Sequence, residues 1–254
     1  MLLKRIIPTI IMKNDELIHR SKFDKSTDRY VGDPINTINI FNQFQVDEII
    51  LLNIENSRYK KKINFNLLKD IAGEAFFPLT YGGGINNYED AEKIISLGFE
   101  KIAINNAFLE NKNFIEKLSK KIGAQSVVIS IDVLKMNNEY YIYNYLENAP
   151  RKILLSRYLT ELNNLNFGEL MITLVNLDGT MSGCDINLLD QIDKNIRIPI
   201  IYKGGLSSID EIQILFEKGV SAVASSTFFI MKKINGGVVL NYPSAKEKSK
   251  YEDL

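Results

Sequence analysis

Short apolar runs alternate with longer amphipathic stretches along this chain, the pattern of strands buried on both faces and joined by helices with one buried face. The apolar runs predict strands at Arg5–Ile10, Glu48–Leu52, Phe77–Thr80, Lys101–Ile104, Gln125–Ile131, Leu170–Val175, Pro199–Ile201 and Ala222–Ala224. Helical spacing of apolar positions predicts helices over Tyr88–Leu97, Asn113–Ile122, Arg151–Leu162 and Ile209–Lys218. Eight strands with helices between them fit a closed (β/α)8 barrel of the TIM type better than an open sheet, and 254 residues suits one such domain. Residues 1–243 read as the barrel and 244–254 as a polar tail that frays. The long polar stretch Met12–Gly32 reads as a mobile loop over the barrel mouth.

An internal repeat sharpens the prediction. Phe77-Pro78-Leu79-Thr80-Tyr81-Gly82-Gly83-Gly84 returns as Ile198-Pro199-Ile200-Ile201-Tyr202-Lys203-Gly204-Gly205. The pairs Pro78/Pro199, Gly83/Gly204, Gly98/Gly219 and Ala103/Ala224 share one offset of 121 residues. The barrel is therefore two half-barrels of four βα units each.

Composition narrows the chemistry. Thirty-one basic and 31 acidic residues cancel, which gives no electrostatic reason to expect nucleic acid or a membrane surface as partner. The opening residues lack the regions of a signal peptide, so the protein is expected in the cytoplasm. With a single cysteine, Cys184, and a single histidine, His19, neither a disulfide nor a zinc site is expected, and no metal or cofactor is called for. His19 reads as a solvated loop residue, Cys184 as the start of a helix, and Lys60-Lys61-Lys62 as solvated surface.

Working residues of such a barrel stand at the carboxyl ends of its strands. Glycines there leave backbone N–H groups free for phosphate oxygens. The first half offers Gly83-Gly84 and then Asn105-Asn106; the second offers Gly204-Gly205, then Ser225-Ser226, supplemented by Gly179-Thr180. Two symmetric anion sites imply a small molecule with a phosphate at each end. The repeat also sets Thr9-Ile10-Ile11 against Ser130-Ile131-Asp132, making Asp132 the one carboxylate of its pair and a candidate general acid or base. Asn53 and Asn176 read as an equivalent pair of amides that orient a substrate, with Asp178 and Lys203 beside them.

The series Lys4-Arg5-Ile6-Ile7, Tyr81-Gly82-Gly83-Gly84-Ile85, Lys101-Ile102-Ala103-Ile104-Asn105, Ser130-Ile131-Asp132, Asp178-Gly179-Thr180-Met181-Ser182-Gly183 and Gly204-Gly205 resembles the HisF-type cyclase subunit of imidazole glycerol phosphate synthase over nearly the whole chain. The resemblance implies a lyase of histidine biosynthesis that receives ammonia from a docked HisH-like glutaminase. It implies further that Arg5, Glu48, Lys101 and Glu169, each at the start of an alternate strand, form a charged gate for ammonia at the barrel floor. At the mouth the chain departs from the family pattern. Ile11 stands where the family has its second catalytic aspartate, Asn53 and Asn176 replace other carboxylates, and Lys203 replaces a small residue.

These departures are similar to a divergent HisF-like branch associated with surface polysaccharides, in which the ammonia serves a separate sugar amidotransferase that converts an acetamido to an acetamidino group. That branch is the preferred reading. Two others stay open: a working cyclase in which Asp15, four residues beyond Ile11, substitutes for the lost aspartate, and a non-catalytic scaffold that activates the glutaminase.

Overall fold

The computed structural model describes residues 3–105, 107, 111–192, 196, 198–232, 237–249 and 251. Eight parallel strands close into a barrel in the order β1 (Arg5–Lys13), β4 (Ile49–Asn53), β5 (Leu79–Gly82), β6 (Lys101–Ile104), β7 (Val127–Met136), β10 (Glu169–Leu174), β11 (Ile200–Lys203) and β12 (Ala222–Ser225), which returns to β1. All eight predicted strands are present.

The half-barrel repeat holds to the residue. Thr9 pairs with Ile50 and Ile11 with Leu52; at the same offset Ser130 pairs with Met171 and Asp132 with Thr173. Leu79 pairs with Ile49, and Ile200 with Leu170. The register also corrects one expectation. Asn53 pairs with Met12 and Leu174 with Val133, so the twin of Asn53 is Leu174, not Asn176.

Side chains alternate between two cores, as the pleat requires. Outward-facing residues such as Ile6, Ile10, Leu51 and Tyr81 pack under the helices in one large cluster. Inward-facing Ile7, Ile50, Ala103, Val128, Met171, Ile201, Ala222 and Ala224 form a smaller cluster along the axis. Helices cap where the sequence offers Asp, Asn or Ser: Asp33, Asn64, Asn87 and Ser208 each accept from a backbone N–H of the first turn of their helix.

Three expectations fail. Met12–Gly32 is no loop: β1 runs on to Lys13 and pairs with β2 (Glu16–Ser21), which pairs with β3 (Asp24–Gly32). In the other half β7 runs on into β8 (Glu139–Asn144) and β9 (Ala149–Leu154), so residues 151–154 are strand and the following helix starts only at Leu155. Both extensions begin with a two-residue turn, Asn14-Asp15 and Asn137-Asn138, whose residues all have positive φ. Asn and Asp tolerate that conformation, and it matches the twist of a tight hairpin. Third, the tail is docked over part of its length. Ala245–Lys248 is helical with a capping box from Ser244 and Glu247, and Tyr251 is buried edge-on against Phe216. Among the described residues no helix is long and apolar enough to cross a membrane.

Candidate active site and barrel floor

At the amino-terminal end of the barrel, Arg5 and Lys101 each bond to both Glu48 and Glu169. Arg5 Nη1 lies 2.5 Å from Glu48 Oε2, and its Nη2 bonds to Glu169 Oε1. Lys101 Nζ lies 2.8 Å from Glu48 Oε2 and 3.0 Å from Glu169 Oε2. Thr80 Oγ1 donates to the other oxygen of Glu48 at 2.7 Å. The four side chains thus close a ring of alternating sign, with Glu48 almost fully buried. Their strands are not alternate ones: Arg5 begins β1 and Glu48 directly precedes its neighbour β4, while Lys101 and Glu169 begin β6 and β10. The long Arg and Lys side chains span the uneven spacing.

At the opposite end an open cavity of about 950 Å³ is lined by Ile11, Leu52, Asn53, Gly82 to Gly84, Asn105, Asp132, Thr173, Asp178 and Lys203, among others. Asp132 sits where β7 continues into its hairpin, opposite Tyr143 of β8, and is 5% exposed. Burial pushes its carboxyl up to about 7, against the opposing effects of a 2.8 Å hydrogen bond from Asn105 Nδ2 and the nearby Lys203 charge. A carboxyl that half-ionises near neutral pH suits proton transfer in either direction.

Ile11 lines the same cavity from β1 and brings no titratable group. Asp15, the candidate substitute, does not reach the mouth: it is exposed on the Asn14-Asp15 turn and accepts from Asn64 Nδ2 at 2.9 Å. The other mouth carboxylate, Asp178, is held by Lys203 at 2.5 Å with both side chains about 2–3% exposed. Sequence reasoning placed both residues at the site but did not foresee this pairing.

The remaining predicted residues divide. Gly83, Gly84 and Asn105 line the cavity, whereas Gly179, Thr180, Gly204, Gly205, Ser225 and Ser226 stand apart from it. Asn106 lies outside the described residues. Asn53 lines the cavity, but its Oδ1 accepts from the backbone N–H groups of Glu55 and Asn56, so it shapes the loop. Asn176 is spent on the Lys135 backbone, accepting from its N–H at 2.7 Å and donating to its C=O at 3.2 Å. His19 is not a solvated loop residue: it stands on β2 with Nε2 3.1 Å from both Gly179 O and Thr227 Oγ1. Arg58, which sequence reasoning missed, lines the cavity beside Gly83 and Gly84. Its signal was a basic residue shortly after the end of β4, just ahead of Lys60-Lys61-Lys62.

A closed barrel with a glycine loop and a buried acid at its carboxyl end defines a member of the (β/α)8 class. The chain belongs to the histidine biosynthesis protein family, whose model matches residues 5–235. It is 39% identical, over 97% of its length and 98% of the relative's, to a Pseudomonas aeruginosa protein named provisionally as imidazole glycerol phosphate synthase subunit hisF2. A Vibrio vulnificus protein with the corresponding provisional name, hisF3, is 34% identical over 100% of this chain and 98% of its own. The imidazole glycerol phosphate synthase subunit HisF of Sulfolobus acidocaldarius is 33% identical over 89% of this chain and 90% of its own.

Proposed function

We propose that this chain is a HisF-like subunit that takes ammonia from a HisH-like glutaminase at its floor and passes it along the barrel axis for use elsewhere, in amidation of a surface sugar by a separate amidotransferase. The observation that carries the proposal is a contrast. The floor ring is closed and complete, while the mouth offers Asp132 opposite Ile11, with the nearest other carboxylate, Asp178, neutralised by Lys203.

Above the ring the axial cluster includes Ala103, Ala222 and Ala224, small apolar side chains that suit a neutral guest and exclude ions. Leu3 and Phe76, 83% and 88% exposed, flank the floor just before β1 and β5, apolar anchors for a docked protein. Relatives designated hisF2 and hisF3 carry numbers that fit copies beyond the one histidine synthesis needs.

The test mixes the purified chain with a HisH-type glutaminase and measures two products. Glutamine hydrolysis rises, and formation of imidazole glycerol phosphate stays below a normal cyclase by about a hundredfold or more, the usual cost of losing a positioned acid or base. A normal cyclase rate, or rescue of a histidine auxotroph by this chain, overturns the proposal.

A further inference from the structure

The two glycine loops are twins in sequence but not in space. Gly83 and Gly84 are half-buried and line the mouth cavity, while Gly204 and Gly205 are buried away from it. Two substitutions between the halves account for the difference. The last strand residue is Gly82 in β5 and Lys203 in β11, and Ser57 in one half corresponds to Asp178 in the other, all at the offset of 121. In the first half Ser57 Oγ accepts from Gly84 N at 3.0 Å, and no side chain stands at position 82. In the second half the residues at the corresponding positions are joined as the Lys203–Asp178 ion pair, which stands at the wall of the same cavity.

A Cβ on Gly82 would lie 2.9 Å from Leu52 Cδ2 and 3.1 Å from Ala103 Cβ, so a side chain there would press on both neighbours. The β2–β3 hairpin closes the second seat from above. Lys22 N donates to Asp178 O at 2.8 Å, and Ser21 Oγ donates to Gly179 O at 2.8 Å.

Among the described residues, the open seat has a cation to spare. Arg58 lines it, and its hydrogen bonds go to the neutral acceptors Tyr145 O and Asn148 Oδ1. The twin position of Arg58 is Gly179. Five guanidinium N–H groups outnumber those two partners, so donors remain for an anion. In the same cavity, Asp178 Oδ2 and Asn105 Oδ1 are buried acceptors with no partner. Buried acceptors in that condition call for N–H or O–H donors from a ligand or from water.

We propose that the mouth binds a small monophosphate ester, not a bisphosphate: its phosphate lies on the Gly83 N–H, the Ser57 hydroxyl and Arg58, and its hydroxyl- or amide-bearing end meets Asp178 and Asn105. Lys203 is the specificity-determining residue, since with Asp178 it occupies the seat of a second phosphate. None of this involves the floor, so failure of the ammonia reading leaves it standing, and failure here leaves that reading standing.

Isothermal titration of the full chain with inorganic phosphate, ribose 5-phosphate and fructose 1,6-bisphosphate tests it. Ribose 5-phosphate binds at least about tenfold tighter than inorganic phosphate, and the bisphosphate gains no more than about threefold over the monophosphate. Arg58→Ala weakens both esters by about tenfold or more. The double variant Lys203→Ser with Asp178→Asn, which leaves no buried charge unpaired, makes the bisphosphate the tighter ligand by about tenfold, and circular dichroism checks that it folds. Preference for the bisphosphate by the native chain, indifference to Arg58→Ala, equal affinity for inorganic phosphate and the ester, or absence of binding by all three probes overturns the proposal.

Discussion

The floor and the mouth of this barrel both bury charge, and they do it in different ways. At the floor two cations and two carboxylates share one another, so each ion has at least two partners and Glu48 has three. At the mouth Lys203 and Asp178 form an isolated pair, and Asp132 is left with an amide, Asn105, as its hydrogen-bond partner. A network of this kind resists the loss of any member. An isolated pair can be exchanged as a unit, and a lone buried acid answers to pH. The floor of this barrel is thus held in place by its own coupling, while its mouth has fewer ties to hold its chemistry.

The largest effect is expected where the coupling is densest. Glu48→Ala strips Arg5, Lys101 and Thr80 of an acceptor and leaves a net positive floor. It should cost about 3–5 kcal/mol of stability, the usual penalty for breaking a buried ionic group. Denaturant unfolding measures it, and a loss below about 1 kcal/mol would mean that water already serves the ring.

The next effect is a pH signature. A carboxyl whose folded pKa is raised favours the folded state only in its protonated form, so the native chain loses stability as pH rises from the unfolded value of about 4 to about 7, and then levels off. Asp132→Asn removes that penalty. The variant should melt higher than the native chain at pH 8, by a difference on the order of 2–4 kcal/mol that shrinks toward zero at pH 4. A constant difference across that range would assign the effect to lost hydrogen bonding instead.

A third experiment probes the missing partner. Ile11→Asp restores a carboxylate at the twin position of Asp132; with a glutaminase present, imidazole glycerol phosphate formation rises by about a hundredfold if that carboxylate is all the mouth lacks. No rise would locate the block in the Lys203–Asp178 pair.

Much of this contrast was legible in the chain. The floor was legible through the resemblance, which singled out Arg5, Glu48, Lys101 and Glu169; their places at or just before strand starts put all four at one end of the barrel. Asp132 and Ile11 were, because the repeat aligns them. The hairpins were missed although Asn14-Asp15 and Asn137-Asn138 are turn dipeptides; the flanking polar residues of β3, most of them exposed, hid the strand. The burial of Tyr251 could not be foreseen, since a lone aromatic in a charged tail shows no period. Nor could the Lys203–Asp178 pair, because contact across 25 residues depends on side-chain reach between adjacent strand ends, although Gly82 facing Lys203 in the repeat marked the place.

The smallest effect is the sharpest test of the comparison. Lys203→Met combined with Asp178→Leu removes an isolated ion pair whole, leaving neither charge stranded. Replacing such a pair by apolar side chains of similar size is commonly neutral or stabilising, so stability should stay within about 1 kcal/mol of native or rise. The corresponding floor change, Arg5→Met with Glu48→Leu, leaves Lys101 and Glu169 as a remnant and takes the acceptor from Thr80, so it should cost about 2 kcal/mol or more. If the two double variants lose the same stability, the distinction between network and pair has no energetic basis. If the mouth variant alone is tolerated, the ion pair at the mouth owes its presence to what it excludes and binds, not to the folding of the barrel.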